Sequence, residues 1–197
     1  MHRRLWTLVP RLMLIVGVLA LGIFAFAPGA AFAGGSAATR AATTRPFTIT
    51  SPIFSDGARL PTRTAFNRLG CPGKNVAPVL HWQGVPAGTE SFAFALNDYD
   101  APVAGGFHHW IVYNIPEHAR TLTGSSAFTQ GTNSFGFTGY GGPCPPATGQ
   151  IHHYIFTLYA LSLHHISGTG LTYDQLIAAI SGHVTGATVI VGTFSIG

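Results

Sequence analysis

Glycine and proline interrupt this chain so often that it favours short elements: 25 Gly and 13 Pro occur in 197 residues. Between the breakers lie runs rich in β-branched and aromatic residues, at Phe47 to Thr50, Val79 to Trp82, Ser91 to Asn97, Trp110 to Ile115, Tyr154 to Ser162 and Ala187 to Phe194. Short strand signals bounded by Gly, Pro, Asn and Asp predict an all-β sandwich rather than a parallel α/β sheet.

The runs differ in how they are expected to pack. Phe92, Phe94 and Leu96 alternate with Ser91, Ala93 and Ala95, the period-two pattern of a strand packed hard on one face. Tyr154 to Leu161 is apolar on both faces and reads as a central strand covered on both sides. The one helix with start signals runs from Tyr173 to Ser181, with Thr172 as N-cap, Gln175 at the capping-box position and Leu176, Ile177 and Ile180 on one face.

Residues 1–33 read as a signal peptide. Arg3, Arg4 and Arg11 flank an apolar run from Leu12 to Ala27, and Ala31-Phe32-Ala33 carries the small-x-small pattern of a cleavage site. An uncleaved anchor is the alternative, although the run is short for a bilayer span and ends in Pro28-Gly29. Residues 34–45 read as a flexible linker, with the folded domain at 46–197. Export places the protein in the periplasm or outside the cell. Without the signal the ten Lys and Arg fall to seven against six acids, with no basic patch, which sets nucleic acid aside as a partner. No basic amphipathic helix or second anchor argues for strong membrane attachment after cleavage. Cys71 and Cys144, an even pair in an exported chain, are read first as one disulfide and second as half of a metal site.

Three motifs carry the chemistry. Asp98-Tyr99-Asp100-Ala101-Pro102 puts two of six acidic residues in one turn at the end of an apolar strand, either as functional carboxylates or as Asx-turn formers. His108-His109-Trp110 starts the next strand, where alternation sends His109 and Trp110 to opposite faces. A lone histidine here is also a plausible hydrogen-bonded core residue. In His152-His153-Tyr154, His152 and Tyr154 share a face and His153 points away. Between them, Gly139 to Pro146 (GYGGPCPP) reads either as a plain surface turn or as a rigid nest of backbone N–H groups for an anion.

In this order, DxDAP, HHW, GYGGPCPP and HxY resemble the phosphatidylethanolamine-binding protein family, in particular its bacterial Raf-kinase-inhibitor-like branch, over Phe47 to about Phe194. The resemblance implies a Greek-key β-sandwich with one or a few short peripheral helices and a small pocket for phosphate-like anions. Its pocket residues would be Asp98, His109, the backbone of Gly142, Cys144 and Pro145, and His152 and Tyr154, with Asp100 supporting the loop. Departures are Tyr99 for proline in DPDAP, Ala77 for serine in Asn75-Val76-Ala77-Pro78, and His153 for arginine in HRY. The expected function is non-enzymatic binding of a small anion or phospholipid headgroup, with no cofactor, and with protonation of His109 or His152 strengthening binding. A metal-dependent or His/Asp hydrolase is the alternative, although no nucleophile elbow or HExxH is present. Inhibition of a secreted protease or other protein is a further alternative.

Overall fold

The computed structural model describes residues 45–197, so the signal segment 1–33 and nearly all of the 34–45 linker lie outside the described residues. The described chain is all-β apart from one α-helix and one 3-10 turn (Thr62–Thr64). A small antiparallel sheet is built from β1 (Thr48–Thr50), β2 (Leu80–Gln83) and β5 (Thr121–Leu122), in the order β1-β2-β5. A larger one has the order β6-β4-β3-β7-β8, from β3 (Ser91–Asp98), β4 (Phe107–Pro116), β6 (Thr129–Gln130), β7 (His152–Leu161) and β8 (Val184–Phe194). The chain leaves the β3-β4 hairpin for the small sheet, returns as β6 on one side, and crosses to lay β7 along β3.

The main core lies between the two sheets. Ile49, Leu80, Trp82 and Leu122 from the small sheet meet Phe92, Phe94, Leu96, Trp110, Phe156 and Leu158 from the large one. A second cluster covers the other face of the large sheet, where Leu176 and Ile180 of α1 (Tyr173–Ile180) pack with Ala93, Ile111, Tyr113 and Leu161. This corrects the one-face reading of the Ser91 run, because every residue of β3 is buried. Its alanines admit the helix to the sheet surface instead of facing water. The expected capping box is present: Gln175 N–H donates to Thr172 Oγ1, and Thr172 N–H to Gln175 Oε1. β7 lies between β3 and β8 as a covered strand, with His153 its exposed position, and β8 starts at Val184, ahead of the expected Ala187.

Two irregularities break the β3-β4 register. In one, Tyr113 and Asn114 together oppose Ala93, since Phe92 pairs with Ile115 and Phe94 with Val112. Asn114 sits at φ 54°, a conformation that asparagine tolerates better than most residues. Its side chain clamps the loop after β7, with Oδ1 accepting from Ile166 N–H at 2.7 Å and Nδ2 donating to the Ile166 carbonyl at 3.0 Å. Asn114→Ala should therefore cost about 2–4 kcal/mol, from two lost hydrogen bonds and left-handed strain. Asn114→Gly keeps the permitted backbone and should cost about 1 kcal/mol less. Urea unfolding midpoints of the two variants check this order.

Candidate functional site

The second irregularity builds the site. Leu96 pairs with Trp110 and Asn97 with His108, which leaves His109 as the extra residue of a bulge. Strict alternation would place His109 and Trp110 on opposite faces, and the bulge overturns this. Trp110 packs in the inter-sheet core against Phe94 and Tyr140, while the His109 ring meets Tyr154 of the same core at 5.2 Å. His108 goes to the helix side, stacked on Tyr173 at 4.2 Å. A bulge at a site re-aims a side chain by breaking the ladder locally and shifting the register beyond it.

Asp98 ends β3 on the same inner face. It pairs with Tyr154 of β7, so His152 is its diagonal neighbour, and His152 Nδ1 meets Asp98 Oδ2 at 2.8 Å. The other carboxylate oxygen accepts from Asp100 N–H at 3.0 Å. The relative exposures of Asp98, His109 and His152 are 2%, 3% and 2%, so each must find its partners inside the protein or in a ligand. Together they floor a cavity of about 200 Å³. Its walls are Leu69, Ala101, Pro102, Phe107, Phe135, Cys144, Pro145 and Pro146. That volume is below the roughly 300–1,000 Å³ of pockets for drug-sized ligands, and suits a small polar group.

The main chain decides the state of His109. Its Nδ1 lies 2.8 Å from the Gly141 carbonyl, which only accepts, so Nδ1 carries the hydrogen and Nε2 the lone pair. Gly141 N–H donates in return to the His109 carbonyl at 2.9 Å. Burial pulls the imidazole pKa down to about 4, although the Gly141 carbonyl and the Asp98 charge oppose the shift. His109 is thus a neutral acceptor near neutral pH. Burial thus works against the expectation that protonation of His109 strengthens anion binding.

The Gly-Pro loop is a wall more than a nest. Pro143, Pro145 and Pro146 have no N–H, and Gly142 N–H is spent on Asn75 Oδ1 at 2.7 Å. A side chain at Gly142 would collide with the Thr64 carbonyl. Among the 142–146 amides this leaves Cys144 N–H as the donor without a hydrogen-bond partner among the described residues. The wall is tied to residues 63–75 by Phe66 N–H to the Pro143 carbonyl, Tyr140 Oη to the Thr64 carbonyl, Asn75 Nδ2 to the Tyr140 carbonyl, and the Cys71–Cys144 disulfide (Cα–Cα 5.6 Å).

Of the residues expected at the site, Asp98, His109, Cys144, Pro145 and His152 line the cavity. Gly142 and Tyr154 do not. Tyr154 is buried beneath His109, and its hydroxyl has no hydrogen-bond partner. Burial, followed by the Asp98 carboxylate, drives its pKa far above the usual value, while the Cys144 backbone pulls it down. The phenol thus lies within electrostatic reach of both groups but in hydrogen-bond geometry with neither. Asp100 stands outside the cavity and holds the turn to β7, its Oδ2 meeting His153 N–H at 2.7 Å and His153 Nδ1 at 2.8 Å. The His153 side chain, first, holds the Asp100 carboxyl below its usual pKa. His153 thereby takes a pairing role in the place of the arginine of HRY. Leu69, Phe107 and Phe135 carried no signal that sequence reasoning used, and Asn75 was read only as part of Asn75-Val76-Ala77-Pro78, with no clamp assigned to it.

The sequence profile described as "Phosphatidylethanolamine-binding protein" matches residues 50–195. The chain belongs to that family. It is 42% identical over 130 residues to YbcL of Escherichia coli K12, covering 61% of this chain and 71% of YbcL. It is also 42% identical over 161 residues to LppC of Mycobacterium tuberculosis H37Rv, a protein whose name marks it as a candidate lipoprotein, covering 80% of this chain and 77% of LppC. The crystal structure of E. coli YbcL, described as a member of the mammalian PEBP family, superposes with a TM-score of 0.73 at 34% identity, over 77% of this chain and 99% of that one.

The His109 pKa has a consequence for stability. Above about pH 6.5 the ring is neutral in both folded and unfolded chains. As pH falls toward about 4 only the unfolded chain takes the proton, so stability declines by about 1.4 kcal/mol per pH unit over that window. A His109→Gln variant should lack this part of the pH dependence. Chemical unfolding of both proteins between pH 7 and 4 measures the difference.

Proposed function

We propose that this member of the phosphatidylethanolamine-binding protein family is an exported, non-enzymatic binding protein whose cavity takes a small phosphate-like anion, free or as a phospholipid headgroup. One observation carries the reading: among the described residues, both imidazoles at the cavity floor spend only Nδ1 on the protein, and the Cys144 N–H beside them has no hydrogen-bond partner. A phosphate group offers what this set lacks. Its charged oxygens accept from Cys144 N–H and from His152 Nε2 when that nitrogen is protonated, and a P–OH, which free phosphate or a phosphate monoester carries and a phosphodiester headgroup lacks, donates to the lone pair of His109 Nε2. The Asp98 carboxylate holds the His152 ring in place and balances an imidazolium there. Apolar walls strengthen these contacts by excluding water.

The hydrolase alternative is less favoured by the lining, which holds no Ser, Thr or free thiol to act as a nucleophile beside His152, since Cys144 is in the disulfide. Export is supported by that disulfide, which persists in oxidising compartments. A mature chain starting at Gly34 in secreted material, read by intact mass, supports cleavage; residues 1–33 retained in the membrane fraction mean an anchored protein.

Calorimetric titration with inorganic phosphate and with phosphoethanolamine tests the binding. The parent should bind saturably, His152→Ala should lose about tenfold or more in affinity, consistent with a charge-assisted hydrogen bond, and His153→Ala should change it by less than about twofold. Phosphoethanolamine affinity should rise as pH falls from about 8 to 6, because its monoanion carries the P–OH that neutral His109 accepts. His109→Ala should weaken binding and flatten that rise. No saturable binding of either probe would overturn the reading.

A further inference from the structure

We infer that a hydrogen-bonded ring on the helix side of the large sheet, formed by Asn97, Tyr99, Tyr173 and His108, positions Asp98 and His109 for the cavity on the other side. The inference rests on the anion-binding reading of that cavity, and it assigns to Tyr99 and Tyr173 a part in it although neither lines it.

The ring closes through four contacts. His108 Nδ1 lies 2.7 Å from Asn97 Oδ1, Asn97 Nδ2 donates to Tyr99 Oη at 3.3 Å, and Tyr99 Oη lies 3.1 Å from Tyr173 Oη. The Tyr173 ring then stacks on His108 at 4.2 Å, with 24° between the planes. Donor and acceptor roles run in one direction. The Asn97 oxygen only accepts, so His108 donates to it, and Tyr99, having accepted from the Asn97 amide, is free to donate to Tyr173. Desolvation and the Tyr173 hydroxyl raise the Tyr99 pKa to about 12, so the phenol keeps its proton.

The ring's place in the chain gives it this role. Asn97 and Tyr99 are the two residues that flank Asp98, and His108 directly precedes the bulged His109. Fixing both neighbours of Asp98, and the neighbour of His109, on one side of the sheet fixes where those two side chains stand on the other. Tyr173 opens α1, so the tie reaches an element packed on the opposite face. Tyr99 is half exposed, yet its hydroxyl is turned back to the sheet; Gly106 lets its ring lie close, since a Cβ there would press on both that ring and the Asp98 carbonyl. Where proline would stiffen this turn covalently, this chain stiffens it with a tethered phenol.

Tyr99→Phe and Tyr173→Phe each remove the hydroxyl-to-hydroxyl link. Each should lower phosphoethanolamine affinity roughly 3- to 10-fold, and the double variant should be no weaker than the worse single one, because both delete the same contact. Tyr99→Pro, which restores stiffness without a hydroxyl, should bind within about twofold of the parent. A second readout needs no ligand: water exchange of the His152 Nδ1 proton, followed by NMR, should quicken in Tyr99→Phe and stay at the parent rate in Tyr99→Pro. Unchanged affinity and exchange in both phenylalanine variants, additive losses in the double variant, or Tyr99→Pro behaving like Tyr99→Phe would each overturn the ring's positioning role. If the parent binds neither phosphate nor phosphoethanolamine, the anion-binding reading fails, and the exchange rates alone then decide whether the ring holds Asp98 and His152 in place.

Discussion

A carboxylate with 2% of its surface in contact with solvent cannot be left unpaired, and much of the site follows from satisfying Asp98. An isolated buried charge costs several kcal/mol, so each oxygen needs a donor that stays put. His152 serves one oxygen and thereby ties the end of β3 to the start of β7. The Asp100 amide serves the other and thereby sets the turn that brings Asp100 to His153. One buried charge thus orients a histidine, closes a loop and holds two strand ends together. The inter-sheet core shapes that choice, because a face built from Phe94, Leu96, Phe156 and Leu158 offers the carboxylate no polar partner of its own.

The two cavity histidines differ in kind. The partner of His152 is a carboxylate, which accepts from its Nδ1. The partner of His109 is a neutral carbonyl in a fully buried setting, which favours a neutral ring. One floor therefore presents a ring suited to become a donor beside a ring restricted to accepting. The wall opposite adds shape more than charge, since its prolines have no N–H and its disulfide and Asn75 clamp restrict movement.

Much of this was legible in the residues. Alternating large side chains marked β3, the Thr172 to Gln175 capping box marked α1, and the HxY spacing placed His152 inward and His153 outward, because these signals depend on local periodicity alone. What escaped depends on events that periodicity does not encode. A one-residue bulge at His109 reverses the facing of everything read across it, and no residue type announces it. The second buried face of β3 was hidden because alanine reads as small and bland until a helix is seen against it. The nest reading of Gly139 to Pro146 did not foresee how its amide hydrogens are shared out: the Gly142 donor goes to Asn75, some seventy residues earlier in the chain. Phe107 entered the wall through the shifted register that pairs it with Asp98, and Phe135 through loop geometry that only the folded chain reveals.

The Gly141 carbonyl that fixes the His109 tautomer belongs to the peptide backbone, and so it cannot be deleted by exchanging one side chain for another. Drift at the surrounding positions can alter the size and greasiness of the cavity while leaving that one nitrogen an acceptor. Only a change in the path of the chain, by insertion, deletion or loss of the reciprocal Gly141 to His109 bridge, would rewrite it. The character of this atom is thereby insulated from ordinary point mutation, and sequences that look dissimilar around it can keep the same tautomer there.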